Sequence, residues 1–427
     1  MAPQPNDTLV EEIEQELAGI GTVDAHEHLP SEKDHLAKPA DFYSLFEHYC
    51  HGDLISAGAS DQDMAFLADR DKPLKKRWER FRPLLSAIRT GAYARAALIV
   101  IRDLLGIDDL TDKTFEAVGK KLAELRSPGE YDRIIRERCN IDACVGCWTL
   151  QQEGMPDYFV HLAGGPDVLD LFGRAALDRL AARCDRAVHH LHDVLDCMTR
   201  IVEEWRDNPK VVGIKIGHAY QRSLAFERTA RADAETVFNR MLTNQQRTVS
   251  LQEALPLQDF LMFELVARAE AAGLPMVFHT GLQAGNYNRI RNADPLHLQR
   301  LIEEFPRAKF DLFHGGMPWV REIGVLAKYF PGVHLNMAWM HIIDPVQARS
   351  ALSEWLDEVP NTKIFGFGGD YAIVEKIYGH LTIARRNIAM VLADKIREGA
   401  WSREEASLVA RRLMRENPDR FYELGLH

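Results

Sequence analysis

The chain lacks any apolar run near the roughly 20 residues needed to cross a bilayer. Its longest candidate, Ala94 to Leu105, is interrupted by Arg95, Arg102 and Asp103. The opening residues, Met1-Ala2-Pro3-Gln4-Pro5-Asn6-Asp7, have neither the basic nor the apolar region of a signal peptide. A cytoplasmic location with no membrane partner is the expectation. Excess positive charge is also missing: 52 Lys and Arg stand against 63 Asp and Glu, a formal net charge of -11. Such a surface disfavours a nucleic-acid partner. Cysteine is sparse, six residues in all, and in an acidic chain without an export signal these are expected as free thiols. Cys144 and Cys147 form a CxxC, but a zinc ribbon needs a second pair, and none is present. The segment from Asp142 to Trp148 reads as a buried strand, so both cysteines are expected in the core. No glycine-rich phosphate loop follows the first strand, which argues against a doubly wound nucleotide-binding fold.

What is present is a repeating rhythm. Residues 8–19 carry Leu9, Ile13 and Leu17 on one helical face, and Gly21 stops the helix. A strand follows at Thr22 to Ala25. From 30 to 140 no strand is legible, and helical stretches such as Lys76 to Arg89 and Thr114 to Leu125 succeed one another; this block is a helical insertion. Seven further strands are then expected at 143–148, 168–172, 211–216, 275–278, 309–313, 333–337 and 363–367. Helices fall between them, at 183–206, 257–272, 295–304, 320–329 and 346–356. The tail beyond Ile373 reads as helical. Alternating β and α units imply parallel strands with right-handed crossovers. Eight of them imply a (β/α)8 TIM barrel over residues 1–427, a single domain with the insertion at 30–140, whose active site lies at the carboxyl ends of the strands.

The strand ends carry polar residues. His26 and His28 lie two apart on the first strand, so their side chains share one side and can chelate a divalent metal. Lys215, His279, His314 and Asp370 end later apolar runs. Neutral imidazoles with a carboxylate suit zinc, and also iron(II) or manganese(II). Tyr220, Arg222, Trp319, Arg321 and Tyr371 follow strands 4, 6 and 8 and are candidate substrate-binding residues, arginine being suited to a carboxylate. Arg222 and Arg321 read equally well as helix-capping or surface-paired residues. Gln283, Asn286 and Tyr287 form a loop that could cover the site. His218 could face the site but reads better as a loop residue, and His48, His51 and Asp53 read as parts of a solvent-exposed helix in the insertion.

The order HxH, Lys, His, His, Asp resembles the amidohydrolase superfamily over residues 21–60 and 140–427. Two branches are similar. Uronate isomerases share the insertion after the first strand. The amidohydrolase-like domain fused to glutamine synthetase in some fungi and plants resembles Gly213-Ile214-Lys215 through Tyr220, His279-Thr280-Gly281, Asn292 to Leu296, and His314 to Arg321. The resemblance implies that His26, His28 and Asp370 hold a metal, with His279 as a further ligand and one or two ions in all. It implies Asp370 as general base, with His314 as a polarising group or a second metal ligand. Lys215 would be carboxylated and bridging, a cation for a substrate carboxylate, or a buried ion-pair partner. Uronate isomerases place an arginine two residues after the strand-8 aspartate, where this chain has Asp370-Tyr371-Ala372. The implied function is a metal-dependent hydrolase that cleaves an amide, ester or lactone bond of a small carboxylated substrate by a metal-activated water. A decarboxylase using the same site and a uronate-type aldose–ketose isomerase are the alternatives. Homo-oligomers built through the outer helices are an expectation from the fold alone.

Overall fold

The computed structural model describes residues 7–147, 154–243 and 248–426. Eight parallel strands follow one another in sheet order: β1 (Thr22–Glu27), β2 (Ile141–Cys147), β3 (Phe159–Gly164), β4 (Val211–Ile216), β5 (Met276–Phe278), β6 (Phe310–Leu312), β7 (Val333–Asn336) and β8 (Ile364–Phe365). Each regular pair from β1–β2 to β7–β8 is parallel, so the expected (β/α)8 architecture forms.

The barrel closes between β8 and β1 without a regular ladder. The Ala25 amide donates to Phe367 O, that of Asp370 to His26 O, and that of His28 to Tyr371 O. Two buried carboxylates complete the seam. Asp24 Oδ1 accepts from the Gly369 amide at 2.9 Å, and Glu27 Oε2 accepts from the Tyr371 amide at 2.7 Å. The chain past β8 is therefore sewn to β1 by backbone groups that a regular strand would have spent on a ladder.

Two expectations of element placement fail. The third strand is Phe159–Gly164, not 168–172, where Pro166–Leu169 is a short helix. Proline suits the first helical position, where its missing N–H costs nothing, so the apolar run after Pro166 coils. The expected helix over 183–206 is two helices, Arg174–Cys184 and Leu191–Asp207. The first stops at Asp185, which is left-handed at φ 47°, and the second begins in a capping box between His190 and Asp193. Trp148, read as the end of the second strand, lies outside the described residues. Cys144 and Cys147 are buried in β2 outside any disulfide, which is the core reading.

The insertion between β1 and β2 is helical, as expected, and has its own apolar cluster around Phe42, Trp78, Phe81 and Phe115. Trp78 and Phe115 stack at 5.2 Å between ring centroids. The insertion docks on the helix after β8, Val374–Arg397, through its helix Ala92–Asp103. Gly379 permits the approach: a Cβ there would lie 2.1 Å from Ala96 O. No single helix among the described residues is long and apolar enough to cross a membrane.

The tail plugs the barrel from the amino-terminal end of the strands. Phe421 packs on His334 and Phe365 at 4.5 and 5.1 Å between centroids. The Tyr422 hydroxyl donates to Asp311, a buried carboxylate that also accepts from Asn336 at 2.9 Å. Phe421→Ala should cost about 3 kcal/mol or more of unfolding free energy, the range of buried aromatic truncations. Denaturant titration reads this as a lower midpoint with an unchanged slope.

Candidate metal centre

The seam decides where the donors meet. Asp370 follows β8 with a left-handed backbone, φ 59°, and its side chain falls between His26 of β1 and His28 just past it. His26 Nε2 and His28 Nε2 each lie 3.2 Å from Asp370 Oδ1. These three ligand atoms lie within 4.8 Å of one another. Around a tetrahedral ion with bonds of about 2.1 Å, donor atoms sit about 3.4 Å apart.

His314 and His279 supply the most telling geometry. His314 Nδ1 lies 2.9 Å from Ala338 O, and His279 Nε2 lies 2.9 Å from Leu282 O. A carbonyl only accepts, so each of these nitrogens carries the proton. The remaining nitrogens, His314 Nε2 and His279 Nδ1, are then bare lone pairs, and they face each other at 3.1 Å. Only a proton or a metal ion relieves such an encounter. The proton is disfavoured. Burial pushes His314 down to about 4, and burial, with His314 and Lys215 nearby, holds His279 well below the ordinary imidazole range. Burial does the same to His26, with Lys215 next. Burial alone would raise Asp370, but its contacts with His26 and His28 outweigh that and keep it ionised. Neutral imidazoles around an ionised carboxylate are the protonation states a divalent cation requires, so these residues fit a metal.

Four non-glycine residues at or near the site, His48, His314, Trp339 and Asp370, have positive φ between 59° and 64°. Such conformations persist only where surrounding contacts hold them. Asp24 and Glu27 provide that hold at Asp370. Burial raises Asp24 to about 6 and pushes Glu27 well above the usual carboxylate range, with Asp24 next.

A cavity of about 410 Å³ opens over this centre, lined among others by His28, Lys215, Tyr220, His279 and Asp370. Lys215 Nζ is buried without a hydrogen-bond partner and sits 3.6 Å from the centroid of the Phe313 ring. Burial lowers it to about 8, against the pull of Cys147 and Asp370. The Tyr220 hydroxyl accepts from the Ala284 amide at 2.9 Å, and its ring lies 4.7 Å from His279.

Other sequence candidates go elsewhere. Arg222 is buried against Asp259 at 2.6 Å and Gln258 at 3.3 Å. Arg321 is exposed and paired with Glu354 at 2.8 Å. Neither lines the cavity, nor does the half-buried Trp319. Tyr371 is buried behind the centre, its ring 5.4 Å from Tyr49. Tyr287 is 96% exposed and touches nothing in the site. Gln283 and Asn286 do tie their loop down, to Ala219 O at 2.7 Å and Gly52 O at 3.3 Å.

His48 corrects the reading of a solvent-exposed helix. It lines the cavity with Tyr49, whose hydroxyl donates to Asp370 O at 2.6 Å, while His51 stays exposed. His218 also lines the cavity, and its Nε2 lies 2.9 Å from Asp170. No local spacing marks His48 as a cavity residue, because the fold-back of the insertion brings it there.

A parallel eight-stranded barrel with a metal-fitting donor set at the carboxyl ends of its strands defines a metal-dependent barrel enzyme. The amidohydrolase family model matches residues 151–424, and the chain belongs to that family. The match begins beyond β1, so His26 and His28 lie outside it. Protein fluG of Emericella nidulans is 28% identical over 227 residues, covering 51% of this chain and 26% of fluG; the chain spans about a quarter of that relative. Glucuronate isomerase from Caulobacter crescentus superposes with a TM-score of 0.79 at 18% identity, covering 99% of this chain and 96% of the other. Uronate isomerase from Thermotoga maritima gives 0.78 at 15% identity, covering 97% of both. A putative metal-dependent hydrolase from Lactobacillus casei gives 0.62 at 15% identity, covering 97% of this chain and 98% of the other. At these identities the structures share the fold.

Gly369 tests the seam. A Cβ there would lie 1.8 Å from Glu27 Oε1 and 2.9 Å from its Cδ. Gly369→Ala should displace Glu27, release the Tyr371 amide and shift Asp370. Metal affinity should fall about tenfold or more, as for lost supports of ligands, with the far-ultraviolet circular dichroism of the folded protein retained.

Proposed function

We propose that the chain is a metal-dependent hydrolase that cleaves an amide, ester or lactone bond of a small carboxylated substrate. The observation that carries this reading is the pairing, in one cavity, of an ionised Asp370 with a buried, unpartnered Lys215 ammonium. His26, His28 and Asp370, with His279 as a further donor, would hold the ion, zinc being the first choice and manganese(II) or iron(II) the others. When bound, a divalent ion supplies Lewis acidity and makes water a stronger acid at neutral pH.

The protein's own groups do the rest. Lys215 Nζ binds the substrate carboxylate, and its desolvated charge makes that contact strong. Tyr220 and His48 both wall the cavity and limit substrate size. Asp370 Oδ1 is engaged by His26 and His28, which leaves Oδ2 to take a proton from the attacking water and pass it to the leaving group. The Leu282 and Ala338 carbonyls fix the rings of His279 and His314 and leave their other nitrogens free.

The uronate isomerase reading has one observation in its favour: those neighbours cover this chain almost end to end, insertion included. Against it, the cavity is lined by no arginine among the described residues. The zinc-loaded protein should therefore hydrolyse some member of a panel of N-acyl amino acids and carboxylated lactones and leave D-glucuronate untouched. Lys215→Met should raise KM about thirtyfold, the equivalent of a charged hydrogen bond of about 2 kcal/mol. Isomerisation of glucuronate with no hydrolysis across the panel would overturn the proposal.

A further inference from the structure

A second group of donors lies outside the cavity, where the insertion meets the barrel. His35 comes from the short helix after β1, Glu32–Leu36. Glu130 comes from the end of the insertion, and Glu375 from the first turn of Val374–Arg397. All three are buried, His35 at 2% exposure and both glutamates at 0%. His35 Nε2 lies 3.4 Å from Glu130 Oε2 and 3.6 Å from Glu375 Oε2. The arrangement repeats that of His26, His28 and Asp370, with the same limit of 4.8 Å between donor atoms.

We infer that His35, Glu130 and Glu375 form a second divalent-cation site that fastens the insertion to the barrel. Three observations support it. Both oxygens of Glu130, Oε2 of Glu375 and Nε2 of His35 are buried and make no hydrogen bond, so the donors face one another unbonded. The separations are too long for charge-assisted hydrogen bonds, which run about 2.7–2.9 Å. They match the donor spacing of about 3.4 Å around a tetrahedral ion.

Charge gives the third observation. The neighbouring cation is Arg126, whose Nε donates to Glu375 Oε1 at 2.7 Å. One guanidinium against two carboxylates leaves a place for one further positive charge, which a cation or a proton on His35 supplies; burial would lower His35, but Glu130 and Glu375 outweigh it and raise it to about 9. The rival occupant is a proton on His35. The Arg126 bond leaves Glu375 Oε2 directed at the cluster and orients it as an outer partner orients a metal ligand. One imidazole and two carboxylates suit a borderline first-row cation such as zinc or manganese, not a soft monovalent one.

The site joins the segment after β1, the insertion and the helix after β8. The same insertion delivers His48 and Tyr49 to the cavity, so the ion would hold the cavity wall without touching substrate. This inference does not rest on the hydrolase reading.

The test uses the full chain, stripped with a chelator, dialysed against zinc or manganese chloride and measured by elemental mass spectrometry. The double variant His26→Ala/Asp370→Asn removes the cavity centre and should still retain one ion per chain. Adding Glu130→Gln should remove that ion and abolish the zinc-dependent rise in melting temperature of the double variant. His35→Gln should do the same, and serves if Glu130→Gln does not fold. A double variant that binds no metal, or ion content unaltered by Glu130→Gln and His35→Gln, would overturn the inference and leave the proton on His35 as the occupant.

Discussion

Everything at the site depends on the seam between β8 and β1. A regular ladder would carry the chain past β8 in an extended line. Instead the Gly369 and Tyr371 amides are taken by the carboxylates of Asp24 and Glu27, and the Asp370 amide by His26 O. This closes the barrel and turns the Asp370 side chain into the gap between His26 and His28. The strain of a left-handed aspartate is held by these contacts on both sides of it. One set of hydrogen bonds thus does two jobs, and the glycine at 369 is needed because Glu27 occupies the space a side chain would fill.

The second constraint is electrostatic. The centre gathers four imidazoles and a lysine around one carboxylate, and burial keeps those of His26, His279 and His314 neutral. Backbone carbonyls then fix the tautomers of His279 and His314, so that their free nitrogens point at each other. A protein gains nothing from opposing two lone pairs at 3.1 Å unless a cation comes between or beside them. The insertion adds a wall over this centre and is itself pinned by buried charge at His35, Glu130 and Glu375.

Much of this was legible in the chain. The spacing of His26 and His28 and the apolar runs ending in Lys215, His279, His314 and Asp370 already gather these side chains at one end of the barrel, because a strand's two-residue period and a barrel's open end leave them few other positions. The third strand was not legible: Val168 to Phe172 is as apolar as Phe159 to Gly164, and only Pro166 distinguishes a helical turn from a strand. Arg222 and Arg321 look like carboxylate binders in one dimension. In three, Asp259 and Glu354 satisfy them, and partners so distant in sequence leave no local trace. His48 and His218 read better as insertion and loop residues for the same reason, and nothing local marks His35, Glu130 and Glu375 as neighbours, since tertiary folding alone brings them together.

The central claim is that the lone pairs of His26, His28 and His279, with Asp370, surround a divalent ion. Anomalous X-ray scattering recorded on either side of the zinc absorption edge, from crystals of the zinc-loaded protein, tests it most directly. The account predicts an edge-dependent density peak bonded to His26 Nε2, His28 Nε2 and Asp370, within reach of His279 Nδ1. No peak there, with a proton shared between His279 and His314 and with His26 and His28 still paired to Asp370, would contradict it.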